Sequence, residues 1–261
     1  MEKHSIISVK FLAVGYGKNI VLSDINFSLN AGSLSVLIGA NGSGKSTLLR
    51  SISGISAPIR GEIEICGKNI ETFRRRELAK TMAVVFTDRN GGGALTVSEC
   101  VALGRHPHTG PFGRLDSEDK DIIAKAIDDV GLEHKSSSYL GALSDGERQK
   151  AMIARALAQQ TPLIVLDEPT AFLDVAGRLE IMQLLHRLAA NGNTILLSSH
   201  DIASAIAVAD SLLVIDSLHH TVISDNKDKI IASGAMDKAF PEANLRFDVE
   251  RGDFIALQSY K

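Results

Sequence analysis

The 261-residue chain predicts an α/β fold: a mostly parallel sheet, an antiparallel β part and an inserted helical subdomain. Three observations predict it. Short apolar runs at Leu34–Ile38, Met82–Phe86, Pro162–Leu166, Thr194–Ser198 and Leu212–Ile215 alternate with stretches of helical spacing, the pattern of parallel strands covered on both faces. Looser alternation over Ile6–Leu12 and Val21–Leu29, with Tyr16-Gly17 between them, reads as an antiparallel pair. From about residue 88 to residue 160 strand patterns vanish and helical spacing takes over.

Each element has a local reason. LSVLI, Leu34–Ile38, is a short apolar strand, and the glycines after it open a helix at Lys45–Ile52. Gly61–Ile65 followed by Gly67-Lys68 suggests a hairpin, Arg74–Lys80 a helix and Met82–Phe86 a buried strand. Gly91, Gly92 and Gly93 mark a flexible connection, and Val97–Leu103 has helical spacing. Over Ser117–Val130 the apolar residues Ile122, Ile123, Ala126, Ile127 and Val130 share one face, and the acids after Ser117 suit a helix N-terminus. A further helix runs from about Gly146 to Gln160. Helices at Val175–Ala190 and Ala203–Val208 then separate the last parallel strands. The division expected is a core of residues 1–87 and 161–261 interrupted by a helical subdomain at 88–160. Ser217–Lys229 reads as a polar hairpin tip, and Phe240–Ala256 as a short terminal extension packed on the core.

Composition narrows the class. The chain is 44% hydrophobic and 23% charged, enough apolar residue for a sizeable core. A net charge of −3 gives no overall basic footprint for nucleic acid. Apolar runs fall far short of the roughly 20 residues of a membrane span, and MEKHSIISVK lacks the apolar stretch of a secretory signal, so a soluble chain is expected. Cys66 and Cys100, far apart and without CxxC spacing, read as buried or half-buried thiols. His106, His108, His219 and His220 lack the spacing of metal ligands, and Arg74, Arg75 and Arg76 read as a solvated helix face.

The chemistry begins at GANGSGKST, Gly39–Thr47. Gly39, Gly44, Lys45 and Ser46 fit G-x-x-x-x-G-K-[ST], the Walker A pattern, with Asn41, Gly42 and Thr47 completing the loop. Glycines let successive backbone N–H groups converge on a phosphate at a helix N-terminus, where the dipole also favours an anion. Lys45 reaches the β- and γ-phosphates of ATP or GTP, and the Ser46 hydroxyl takes a Mg²⁺ position. LIVLDEPT adds a second half: a buried strand ending in Asp167, suited to Mg²⁺, and Glu168, suited to polarise the attacking water. His200 follows the strand Thr194–Ser198 and is expected at the same rim, in contact with the γ-phosphate.

ALSDGERQKAMIARALAQQTPLIVLDEPTAFLD resembles the ATP-binding cassette family, the motor subunits of ABC transporters, and the likeness extends over essentially the whole chain. LSDGERQK, Leu143–Lys150, is similar to that family's signature, LSGGQ. The resemblance implies a homodimer in which two cassettes close head-to-tail, Ser144, Gly146 and Glu147 of each capping the Mg²⁺-ATP held by the other. By the same mapping Tyr16 stacks on adenine and Asp174, in the D-loop-like FLD, touches the partner. The family's glutamine after the strand MAVVF is missing: Thr87 falls there, with Asp88 as the rival metal contact, and the sequence leaves both open. Asp145 and Glu147 also depart from the signature's glycine and glutamine.

The segment TVSECVALGRHPHTGPFGRLDSEDKDIIAKAIDDVGL resembles cassettes of importers for iron–siderophore complexes, haem and cobalamin. That implies transmembrane permease subunits as partners, docked in a groove between the Thr87 loop and the helical subdomain. It also implies a peripheral position on the cytoplasmic face of the membrane, with membrane contact through the permease. The rival readings are a soluble cassette ATPase acting on ribosomes or DNA, an export cassette, and a regulatory module without turnover.

Overall fold

The computed structural model describes residues 5–86, 93–240 and 245–256. In chain order, the long strands β1 (Ser5–Tyr16) and β2 (Asn19–Asn30) precede β3 (Leu34–Ile38) and the helix α1 (Lys45–Ile52). There follow β4 (Arg60–Ile65), β5 (Lys68–Asn69), α2 (Arg75–Thr81) and β6 (Met82–Val85). The helices α3 (Val97–Ala102), α4 (Ser117–Asp129) and α5 (Asp145–Ala158) come next. The chain continues with β7 (Leu163–Leu166), α6 (Val175–Ala190), β8 (Thr194–Ser199), α7 (Ile202–Val208), β9 (Ser211–Asp216), β10 (Thr221–Asn226) and α8 (Lys227–Ala232). It closes with the hairpin of β11 (Leu245–Asp248) and β12 (Asp253–Ala256).

Two sheets carry the architecture. The larger has the order β10-β9-β3-β8-β7-β6 and the smaller β2-β1-β4-β5. β6, β7, β8, β3 and β9 run parallel, while β10 pairs antiparallel with β9. The smaller sheet is antiparallel throughout. Every residue of β3, β7 and β8 is buried, as strands covered on both faces must be.

Side chains alternate between two cores with the period of the strand. Leu34, Val36 and Ile38, with Ile164, Leu166, Ile195, Leu197, Leu212 and Val214, face a cluster shared with α3, α4, α5 and α6. Leu37, Leu163, Val165, Leu196, Leu213 and Ile215 face the other way, against β1, β2, β4 and α1. A one-residue slip would exchange the two sets, and at about 2 kcal/mol per buried aliphatic side chain that fixes the register.

Helix termini follow their sequences. Thr96 with Glu99, Asp116 with Asp119, and Ser144 with Glu147 each form a reciprocal capping box at the start of α3, α4 and α5. Gly104 lies so close to α5 that a Cβ there would meet the Arg155 carbonyl oxygen at 2.2 Å. Beside it, buried Arg105 donates from Nε to Asp119 Oδ1 at 2.7 Å and from Nη1 to the Ala158 carbonyl and Gln160 Oε1. One guanidinium thus joins the turn after α3 to α4 and to the end of α5.

Two expectations are corrected. Ser217–Lys229 is not a free hairpin tip: Thr221–Asn226 is an edge strand and Lys227–Ala232 a helix, with only Ser217–His220 in the turn. The Asp216 carboxylate anchors that turn through the N–H groups of Leu218 and His219 and the His219 ring. Arg74, Arg75 and Arg76 are exposed as expected, and the Arg76 guanidinium in addition donates to the carbonyls of Pro107 and Thr109, tying α2 to the chain beyond α3. Cys66 is exposed in the β4–β5 turn at φ 51, whereas Cys100 is buried as expected. His108 is half-buried, with its ring bonded to the Gln159 carbonyl.

Breaking the buried pair leaves a carboxylate without its cation, so Arg105→Ala is expected to cost about 3 kcal/mol of unfolding free energy. The Arg105 hydrogen bond holds Asp119 below the usual carboxylate range. Its contribution is therefore complete above the unfolded value of about 3.9 and is lost as pH falls through the lower folded value. Urea titrations at descending pH check this: wild type should lose stability in that window more steeply than Asp119→Asn.

Candidate functional site

Three neighbouring strands of the larger sheet deliver their C-terminal ends to one rim, the usual place for a site in an open parallel sheet. β3 ends in the phosphate loop, β7 in Asp167 and Glu168, and β8 in His200. In the loop Gly42 and Gly44 have φ of 78° and 105°, which glycine tolerates without strain. A Cβ at Gly44 would also lie 2.8 Å from Val21 Cγ1, so the α1 N-terminus can approach β2 only without a side chain. α1 has no side-chain cap and no acidic residue in its first turn, unlike the boxed helices α3, α4 and α5. Its first N–H groups are left for an anion.

Lys45 is buried, and its ammonium donates to the carbonyls of Gly39 at 2.9 Å and Ala40 at 3.2 Å. Its nearest carboxylate oxygen is Glu168 Oε1 at 3.4 Å. Glu168 Oε2 in turn lies 3.6 Å from His200 Nδ1. One carboxylate therefore bridges the phosphate-loop lysine and the histidine at the end of β8. Glu168 has φ 49, a left-handed conformation that costs a non-glycine residue roughly 1–2 kcal/mol and that the surroundings must hold. Ser198, fully buried on β8, donates to Asp167 Oδ1 at 2.6 Å and accepts the Glu168 N–H at 2.9 Å.

A cleft of about 290 Å³ is lined by Tyr16, Val21, Gly42, Gly44, Lys45, Ser46, Thr47 and Glu168. Tyr16 is 58% exposed, and its hydroxyl is 3.0 Å from Thr47 Oγ1, which ties the ring to the first turn of α1. Ser43 Oγ, buried inside the loop, has no hydrogen-bond partner. An uncapped helix N-terminus, a buried lysine and paired acids at the same rim fit a phosphate chain with its divalent cation; Ser46 and Asp167 supply the oxygen donors such a cation prefers.

The residues that the resemblance assigns to a partner copy are not among those lining this cleft. Ser144, Gly146 and Glu147 sit together at the exposed start of α5. Glu147 is committed locally: its carboxylate accepts the Ser144 N–H at 3.0 Å and pairs with Lys135. Asp145 pairs with Arg148 at 2.9 Å. The two acids that depart from the signature are thus drawn off by neighbouring cations. Asp174 caps α6 by accepting the Gly177 N–H at 2.8 Å and is itself exposed. Thr87 and Asp88 lie outside the described residues, as do Gly91 and Gly92. Sequence reasoning missed Ser198, Val21 and Lys135. The doubled serine of SSH was the one available signal for Ser198.

The fold and this rim define a phosphate-loop nucleotide-binding protein. Residues 22–171 match the family model described as ABC transporter. An uncharacterized ABC transporter ATP-binding protein of Methanocaldococcus jannaschii is 43% identical over 84% of this chain and 75% of its own length. The iron(3+)-hydroxamate import ATP-binding protein of Bacillus subtilis is 42% identical over 76% of this chain and 74% of its own length. Among solved structures, a chain of an inward-facing ABC transporter described as of metal-chelate type superimposes with a TM-score of 0.79 at 30% identity, covering 91% of this chain and 90% of that one. The chain belongs to the ABC transporter family.

The hydrogen bond from Lys135, with that from the Ser144 N–H, pushes the Glu147 carboxyl down to about 2. The charge at the start of α5 is therefore constant through neutral and mildly acidic pH. Carbon-detected NMR titration should give a Glu147 midpoint near that value in wild type, rising toward about 4.3 in Lys135→Ala.

Proposed function

We propose that this chain is the ATP-hydrolysing subunit of an importer that takes up an iron chelate or cobalamin through a membrane permease. The observation that carries the reading is the bridge from Lys45 through Glu168 to His200 beside an uncapped helix N-terminus. It combines a phosphate anchor with a base at one rim. The name of the Bacillus subtilis relative supports the cargo class. No helix among the described residues is long and apolar enough to cross a membrane, so transport would require a membrane partner.

In this reading the Tyr16 ring stacks on adenine while its hydroxyl stays on Thr47. The α1 N–H groups and Lys45 hold the β- and γ-phosphates. Ser46 and Asp167 would hold Mg²⁺, which offsets charge on the phosphate oxygens. Glu168, steered by Lys45 and His200, takes a proton from the attacking water as its oxygen bonds to the γ-phosphorus and the bond to ADP breaks. His200 stabilises the γ-phosphate oxygens. Ser144 and Gly146 lie away from this cleft with the α5 N-terminus facing solvent, which supports a two-fold dimer in which each copy's signature completes the other's site. The core at 1–87 and 161–261, the helical segment at 88–160 and a place on the cytoplasmic face belong to the same proposal.

Glu168→Gln keeps the shape and removes the base. Turnover should fall by about 10²–10⁴-fold while ATP binding persists. Tagged and recovered from detergent-solubilised native cells with ATP, the variant should bring down a polytopic membrane protein in equal subunit ratio. Recovery of ribosomes, DNA or no partner would contradict the importer reading.

A further inference from the structure

Ser198 stands at a junction the hydrolytic reading does not use. It follows Leu197, which pairs in register with Leu166, so its side chain faces the step from Asp167 to Glu168. The residue is fully buried, one strand away from both acids. A hydroxyl can donate once and accept, and this one does both in a single line: Glu168 N–H to Ser198 Oγ at 2.9 Å, Ser198 O–H to Asp167 Oδ1 at 2.6 Å. The second bond is short and charge-assisted, and two bonds pointing the same way polarise each other.

We propose that Ser198 is a positioning residue for both acids, setting the rotation of the Asp167 carboxylate and the backbone of Glu168. The inference rests on the nucleotide reading of the cleft. Glu168 is held at φ 49, where a non-glycine residue does not stay unaided. From that conformation one oxygen reaches 3.4 Å from Lys45 and the other 3.6 Å from His200. The Ser198 bond to the Glu168 N–H pins the peptide that fixes this conformation. The neighbouring Ser199 faces away and serves the next turn, its Oγ accepting the Asp201 N–H at 3.0 Å where the chain presents His200. The adjacent serines thus divide the work: one aligns the acids, the other the histidine turn. Without the Ser198 hydroxyl, the Asp167 carboxylate loses a donor and the Glu168 peptide loses an acceptor together. Cation binding and the chemical step should suffer, while contacts to the base and phosphate loop remain.

The test compares the full wild-type chain with Ser198→Ala and Ser198→Thr. Bound Mn²⁺ is counted by electron paramagnetic resonance in the presence of ATP, alongside cation-free ATP binding, kcat, KM and melting temperature. Ser198→Ala should raise the half-saturating Mn²⁺ by about 10-fold and lower kcat by about 10–100-fold. KM for ATP and cation-free ATP binding should stay within about 2-fold. Ser198→Thr, which restores the hydroxyl, should recover both losses. Should Ala unfold the chain, Ser198→Cys, similar in size and a poor donor, carries the comparison. A Ser198→Ala chain that matches wild type in Mn²⁺ dependence and kcat, or a Thr variant as impaired as Ala, overturns the inference. A wild type that binds neither ATP nor Mn²⁺ overturns the nucleotide reading and this inference with it.

Discussion

The Lys45 side chain is 4% exposed, and its ammonium rests on two backbone carbonyls, with the Glu168 carboxylate 3.4 Å away. A cation taken this far from water needs anions or oriented dipoles around it. The fold meets that demand by geometry. Parallel strands point their ends at one rim, the loop after β3 turns its carbonyls inward, and β7 ends in acids rather than apolar residues. The same arrangement leaves the first turn of α1 uncapped. A positive site is therefore built from a lysine and a helix terminus, with one carboxylate beside it.

Around that site the supports are layered. The alternation of β3, β7, β8 and β9 between two cores fixes strand ends to within one residue, because a slip would turn both aliphatic sets out of their places. Ser198 then couples β8 to the end of β7, and Glu168 couples β7 to the phosphate loop. The helices of the middle segment hang from α5, whose far end is held by Arg105 on the Ala158 carbonyl and by Gln159 on the carbonyls of Ala79 and Met82. The signature residues open the same helix at its other end. A rigid rod 14 residues long thus links the exposed signature to the base of the sheet.

Much of this was legible in the sequence for identifiable reasons. β3, α1 and α6 begin and end where the residues say, since a loop glycine, a capping aspartate and a run of one periodicity mark each boundary locally. What stayed hidden is non-local. Arg76 reads as one of three surface charges because its acceptors lie about thirty residues on, as backbone carbonyls without a side-chain signature. Glu147 stands in the signature by its place in the sequence, but its pairing with Lys135, twelve residues earlier, has no mark there. The stretch after β9 reads as a polar tip because the second half of the edge strand, Ser224, Asp225 and Asn226, is polar throughout. By contrast, the convergence of Lys45, Glu168 and His200 on one rim was legible, because each follows the C-terminal end of a parallel strand; the contact of the Tyr16 hydroxyl with Thr47 was not.

In the proposed function the buried Lys45 cation serves a triphosphate. Calorimetric titration of ATP into the full chain and into Lys45→Ala tests it most directly, with circular dichroism to establish that both are folded. A folded Lys45→Ala chain should bind ATP at least about 10-fold more weakly, a loss of about 1.4 kcal/mol or more. A folded variant that binds ATP as tightly as wild type would contradict it and return the lysine to a purely structural part in the loop.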